Sequence, residues 1–172
     1  MIHIKAKAKR PVVIFPNFLK GDWEMITSIV VGVDGSKSAG RALLMACEMA
    51  NQFGAALHIS HTPRDETVTH AVEAISGFYV GPNAAHQEVL QEAAEKLIDG
   101  ARKVALDAGV EQVEVNVGQG DPARDLTEMA QAVNADLIIT GRRGLGDLGA
   151  FVLGSTSHQI SKQAKCACMT VP

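Results

Sequence analysis

The chain has 172 residues, 47% hydrophobic and 20% charged, which is enough apolar material for one compact domain and too much for a disordered chain. Its formal charge of −3 and pI near 6.0 supply no overall basic field to hold a nucleic-acid backbone or an anionic membrane surface. Neither nucleic acid nor membrane is an expected partner, and no run approaches the ~20 apolar residues of a bilayer span.

Residues 1–24 carry five Lys/Arg against Asp22 and Glu24. Their apolar patch at 12–15 is flanked by Pro11 and Pro16, and no small-residue cleavage site follows, so the segment does not read as a signal peptide. It reads as an N-terminal extension of unknown role, with the domain proper at 25–172. Cys47, Cys166 and Cys168 make an odd count, and the last two are separated by one residue, closer than a zinc-binding pair usually stands. They read as reduced thiols of a cytoplasmic protein.

Residues 26–33 (ITSIVVGV) are short, β-branched and almost continuously apolar, as in a strand buried on both faces of a parallel sheet. After the turn Asp34-Gly35-Ser36, Ala39, Leu43, Ala46, Ala50 and Phe53 recur at helical spacing, with Ser36 or Ser38 as N-cap and Gly54 beyond the end. Leu57 and Ile59 alternate in a second strand. Residues 62–82 show no sustained period and read as a loop, with a helical turn around Val72. From Asn83, a stripe of Ala85, Val89, Ala93, Leu97, Ala101, Val104 and Ala108 predicts a long helix ending at Gly109. Val113, Val115 and Val117 then alternate with polar residues, the pattern of a strand at or near a sheet edge. Asp121 before Pro122 marks a helix start, with Leu126, Met129, Ala130 and Val133 on its buried face. Residues 136–140 form a fourth strand, a glycine-rich loop leads into a helix around Ile160, and residues 168–171 add a fifth strand. Strands alternating with helices imply an α/β fold with an open, doubly wound, mostly parallel sheet.

The segment GRRGLGDLGAFVLGSTS, from Gly141 to Ser157, lies directly after a strand and directly before a helix. Glycines let backbone approach phosphate oxygens, and the amides at a helix start offer donors at the positive end of a dipole. Ser155 and Thr156 add hydroxyls, and Arg142 and Arg143 bring charge. The loop has neither the Gly-Lys-Ser/Thr of a Walker loop nor the position of a dinucleotide fingerprint. Its spacing, Gly141, two residues, Gly144, nine residues, then Gly154-Ser155, resembles the nucleotide-binding motif of the ATP-binding branch of the universal stress protein family. The resemblance extends over about 25–172 through VVGVDGS and GDPARDLTEMAQAVNADLIITGRRG. It departs at the tail, where Ala164-Lys165-Cys166-Ala167-Cys168 lacks the family's proline.

The resemblance implies a Rossmann-like (adenine nucleotide alpha hydrolase-like) sheet of strand order 3-2-1-4-5. It implies ATP, with Mg2+ taking most ligands from phosphate and water, and a homodimer through the C-terminal strand. Carried over, the ATP site falls on Val33 and Asp34 after the first strand and on the Thr62 backbone at the adenine. Gly141, Arg142 and Gly144 lie around ribose and phosphates, with Gly154, Ser155 and Thr156 at the phosphate end. Bland readings stand beside these: Asp34 as a turn former, the arginines as solvated charges, and His61 as a structural histidine. Met45, Met49 and Met129 read as core filler, and His58, His70, His86 and His158 have no metal-ligand spacing. No nucleophile, base and orienter assemble from these residues, so no catalytic residue is expected. A regulatory or stress-response module that holds ATP with little turnover is the leading expectation. A slow ATPase or nucleotide hydrolase using Asp34 and a metal, and a ligand-free protein-interaction domain, are the alternatives.

Overall fold

The computed structural model describes residues 26–63, 84–142 and 153–172. Five strands, β1 (Ser28–Gly32), β2 (Ala56–His61), β3 (Val113–Val117), β4 (Leu137–Gly141) and β5 (Ala167–Val171), alternate with helices α1 (Lys37–Phe53), α2 (Ala84–Asp107), α3 (Pro122–Ala132) and α4 (Ser155–Gln163). Every strand pairing is parallel, and the order is β3-β2-β1-β4-β5. This is the open, doubly wound α/β sheet expected from the alternation of elements.

The hydrophobic patterns explain which strand goes where. The unbroken apolar runs of β1 and β4 lie at and beside the centre, where Ile29, Val31 and Ile139 pack on one face and Val30 and Ile138 on the other. The alternating β3 takes an edge, as its half-polar pattern demands. On one side α1 contributes Leu43, Ala46 and Ala50, and α2 contributes Ile98, Ala101 and Ala105. On the other side Leu126 and Ala130 of α3 and Ile160 of α4 close the second core.

Local signals set most helix ends. Ser36, the first of the two candidate caps, accepts a hydrogen bond from the Ala39 amide at 3.2 Å, and Gly54 ends α1 in the left-handed region at φ 69°. Asp121 accepts from the Ala123 and Arg124 amides, with Pro122 in the first turn where a missing amide costs nothing.

Three expectations about helical faces need correction. In α2 the buried stripe is Leu90, Ala94, Ile98, Ala101 and Ala105, whereas Ala93, Val104 and Ala108 are exposed. This helix carries two interleaved apolar stripes at helical spacing, and contact with the sheet selects one of them. Phe53 and Met45 of α1 also lie on the outer surface, so Met45 is not core filler, while Met49 and Met129 do pack against the two cores. The helical turn around Val72 and the extension at 1–24 lie outside the described residues.

Candidate functional site

β1 connects to β2 on one side, while β4 flanks it on the other, so the strand order reverses between β1 and β4. Ligands of doubly wound sheets sit in the crevice outside the carboxyl ends at such a switch point. Val33 leaves β1 there, buried, with its amide donating to Ser60 O at 2.9 Å. Asp34 follows, half-buried, and its Oδ1 accepts from the Ser36 amide at 2.9 Å. One oxygen thus closes the turn that starts α1, as the bland reading of Asp34 required. The second oxygen makes no hydrogen bond among the described residues.

Gly141 ends β4 against the start of α1. A Cβ at this position would stand 2.7 Å from Ser38 Oγ and 2.8 Å from the Ala39 nitrogen, so glycine is needed here for space. The next residue, Arg142, donates its amide to Val171 O at 2.7 Å, and its carbonyl accepts from the Gly154 amide at 2.8 Å and from Ser157 Oγ at 3.3 Å. Both ends of the glycine-rich loop are therefore pinned to one point above β4 and β5. The Arg142 side chain is exposed, leaving its guanidinium open to an anion.

Gly154 is the N-cap of α4 and has no side chain with which to satisfy the first-turn amides. Ser155 is exposed, Thr156 half-buried, and Ser157 buried with its hydroxyl also donating to Gly154 O at 3.0 Å. Gly154 supplies no side-chain cap, and the positive end of the helix suits an anion. Gly144 and Arg143 lie outside the described residues.

On the far side of β1, Thr62 follows β2. It is buried, and its hydroxyl donates to Asp125 Oδ2 at 3.0 Å. His61 Nδ1 lies 2.8 Å from Val33 O; a carbonyl oxygen only accepts, so Nδ1 carries the hydrogen. His61 thus ties the ends of β1 and β2 together. Ser157 and Asp125 are the parts of this site that reading the chain did not single out for a role. Asp125 carries no local signal, since it lies 63 positions from Thr62.

The structure brings Val33, Asp34, Thr62, Gly141, Arg142, Gly154, Ser155 and Thr156 to one end of the sheet. Among the described residues the crevice offers main-chain donors, hydroxyls, the Asp34 and Asp125 carboxylates and the Arg142 guanidinium, and its main-chain, hydroxyl and guanidinium donors are groups that can bind phosphate. Among the described residues, no group of three or more His, Cys, Asp or Glu is placed to hold a metal ion. No helix among them is long and apolar enough to cross a membrane. Burial pushes the Cys47, Cys166 and Cys168 thiols above their ordinary range, which is the wrong direction for nucleophilic cysteines.

The chain is similar to universal stress protein YxiE of Bacillus subtilis (strain 168), with 30% identity over 150 residues that cover 86% of this chain and 99% of the relative. It is also similar to the crystal structure of a universal stress protein in complex with cAMP, at 25% identity and TM-score 0.61, covering 86% and 98% of the two chains. A universal stress protein from Archaeoglobus fulgidus shares the fold at TM-score 0.64 and 19% identity over 86% and 95% of the chains. The sequence pattern of the Universal stress protein family matches residues 25–172. With a match over most of its length and the sheet order in agreement, the chain belongs to the universal stress protein family.

Proposed function

We propose that this protein holds ATP, accompanied by Mg2+, in the crevice between β1 and β4, and acts in the cytoplasm as a regulatory module of the stress response. The observation that carries the reading is the convergence of three features at the switch point: the Asp34 turn, the close approach of Gly141 to α1, and the glycine-capped start of α4. Gly154, Ser155 and Thr156 hold the phosphate end, and Arg142 and Gly144 wrap ribose and phosphates. Asp34 faces the sugar, and Thr62 lies beside the base. A similar protein captured with the adenine nucleotide cAMP supports an adenine nucleotide as the ligand class.

The unit that does this is residues 25–172, with residues 1–24 as an appendage, and it pairs with a second copy along β5. That strand bonds to β4 on one side and so has an open edge for main-chain pairing. Among the described residues no general base stands beside a nucleophile in the crevice, which favours holding over turnover. Mass spectrometry of ligand released by heating untreated protein, followed by calorimetry with added ATP and Mg2+, tests the reading. Co-purified, unhydrolysed ATP is the expected result; no nucleotide and no binding on addition would overturn it.

A further inference from the structure

Thr62 stands where the β1–β2 ladder should make one more hydrogen bond and does not. In a parallel ladder, the residue whose amide donates to position j−1 accepts through its carbonyl from position j+1. Val33 donates to Ser60 O at 2.9 Å, so its carbonyl is the natural acceptor for the Thr62 amide. That carbonyl instead takes the hydrogen of His61 Nδ1 at 2.8 Å. Among the described residues, the Thr62 amide makes no backbone hydrogen bond. Pro63 follows, which keeps Thr62 extended and adds no donor of its own.

The side chain of Thr62 is fixed from another direction. Its hydroxyl donates to Asp125 Oδ2 at 3.0 Å, and the Asp125 side chain is only 10% exposed. The fit is tight: a Cβ on Gly118 would lie 2.6 Å from Thr62 Oγ1 and would also run into the Asp125 carboxylate. The Gly118 amide meanwhile donates to His61 O at 2.8 Å. Thr62 is thus held through both its neighbour and its side chain, while its own amide is released on the side of β2 that faces Val33 and the crevice.

We infer that His61 and Asp125 are positioning residues for the nucleobase. His61 withdraws the Val33 carbonyl from Thr62 so that the Thr62 N–H and C=O can read a base, and Asp125 locks the Thr62 side chain so that these two groups stay aimed. An extended residue presents its own N–H donor and C=O acceptor side by side on one edge of the strand. Adenine complements that pair with a ring nitrogen acceptor beside an amino donor, whereas guanine, with a ring N–H beside a carbonyl, opposes it at both atoms. The inference rests on the nucleotide reading above and adds the residues that make the site select its base.

The test uses the full chain with Mg-ATP and Mg-GTP, calorimetric affinities for both, and hydrogen exchange at the Thr62 amide. In wild type that amide exchanges fast without ligand and is protected by ATP. His61→Phe frees the Val33 carbonyl, so the Thr62 amide rejoins the ladder, its exchange slows in the free protein, and ATP affinity falls by about 10-fold, the scale of one hydrogen bond. GTP affinity changes little, so the ATP:GTP ratio shrinks. His61→Asn, which retains a donor for Val33, restores the ratio, and Asp125→Asn, which retains an acceptor for Thr62, outperforms Asp125→Ala. These conservative variants decide the matter if His61→Phe or Asp125→Ala does not fold. Unchanged ATP preference and unchanged Thr62 exchange in folded His61→Phe and Asp125→Ala would overturn the inference alone, whereas wild type that binds neither nucleotide would overturn the nucleotide reading and the inference with it.

Discussion

The Gly154 amide donates to the carbonyl of Arg142 at 2.8 Å, which brings together the two ends of the glycine-rich loop. Ser157 reinforces this neck, its buried hydroxyl reaching both Arg142 O and Gly154 O. An anion site at a helix start depends on where that start is held, and the neck fixes α4 to the ends of β4 and β5.

Ser157→Ala removes that buried hydroxyl while leaving the main-chain bond. One net hydrogen bond is worth about 1 kcal/mol, so urea denaturation should show a loss of that size. Under the proposed function ATP affinity should also fall several-fold, read by calorimetry. A variant as stable and as tight as wild type would mean that the neck is held by the backbone alone.

Gly141→Ala should be more damaging, because the added methyl meets the Ala39 nitrogen and the Ser38 side chain of α1 below 3 Å. Overpacking against backbone costs about 1–3 kcal/mol, and the helix that carries the Asp34 turn must shift. Chemical denaturation should place the variant in that range, with weakened nucleotide binding beyond what the stability loss alone produces.

At the opposite end of the sheet, Asp136 Oδ2 accepts from the Thr27 amide at 2.7 Å and from the Ser28 amide and Thr27 Oγ1 at 3.1 Å each. The Thr27 amide is the main cause, with the Ser28 amide and Thr27 hydroxyl assisting, of a carboxyl held below its ordinary range. A folded-state pKa below the unfolded value of about 3.9 contributes stability that is fully present above that pH and is lost as pH falls through the folded value. Thermal melts of wild type and Asp136→Asn should therefore differ at pH 7 and converge toward the acid side of pH 4. A gap that stays constant down to pH 2 would contradict this.

The three thiols differ in access. Cys47 is buried at 1% exposure, Cys166 half-buried and Cys168 exposed. With burial raising all three pKa values, alkylation at neutral pH should be slow and led by Cys168, with Cys47 modified only on unfolding. Rates should go on climbing as pH rises past the ordinary thiol value of about 8.5, because the thiolate fraction is still growing there. Peptide mapping after timed labelling checks the order.

The chain's own pattern was sufficient for the elements and for their layering. The continuous apolar runs at Ile29–Val31 and Leu137–Ile139 mark central strands, the alternation at Val113–Val117 marks an edge, and Ser36, Gly54, Asp121 and Pro122 mark helix ends. These signals are local, since caps and periodicities act over a few residues. The glycine spacing that pointed to phosphate is local as well. Gly144, which belongs to that spacing, lies outside the described residues.

The tertiary structure decided what depends on residues distant in sequence. Which stripe of α2 is buried followed from the position of the sheet beneath it. Asp136 reaches Thr27 across 109 positions, His61 reaches Val33 across 28 and Asp125 reaches Thr62 across 63. No periodicity encodes such pairs, because they exist only once the order β3-β2-β1-β4 places those strand ends side by side. The sequence by itself determined the family, the strand-and-helix alternation and the phosphate-suited loop; only the folded sheet determined that the Thr62 amide stays out of the ladder, because only there do Val33, His61 and Asp125 meet.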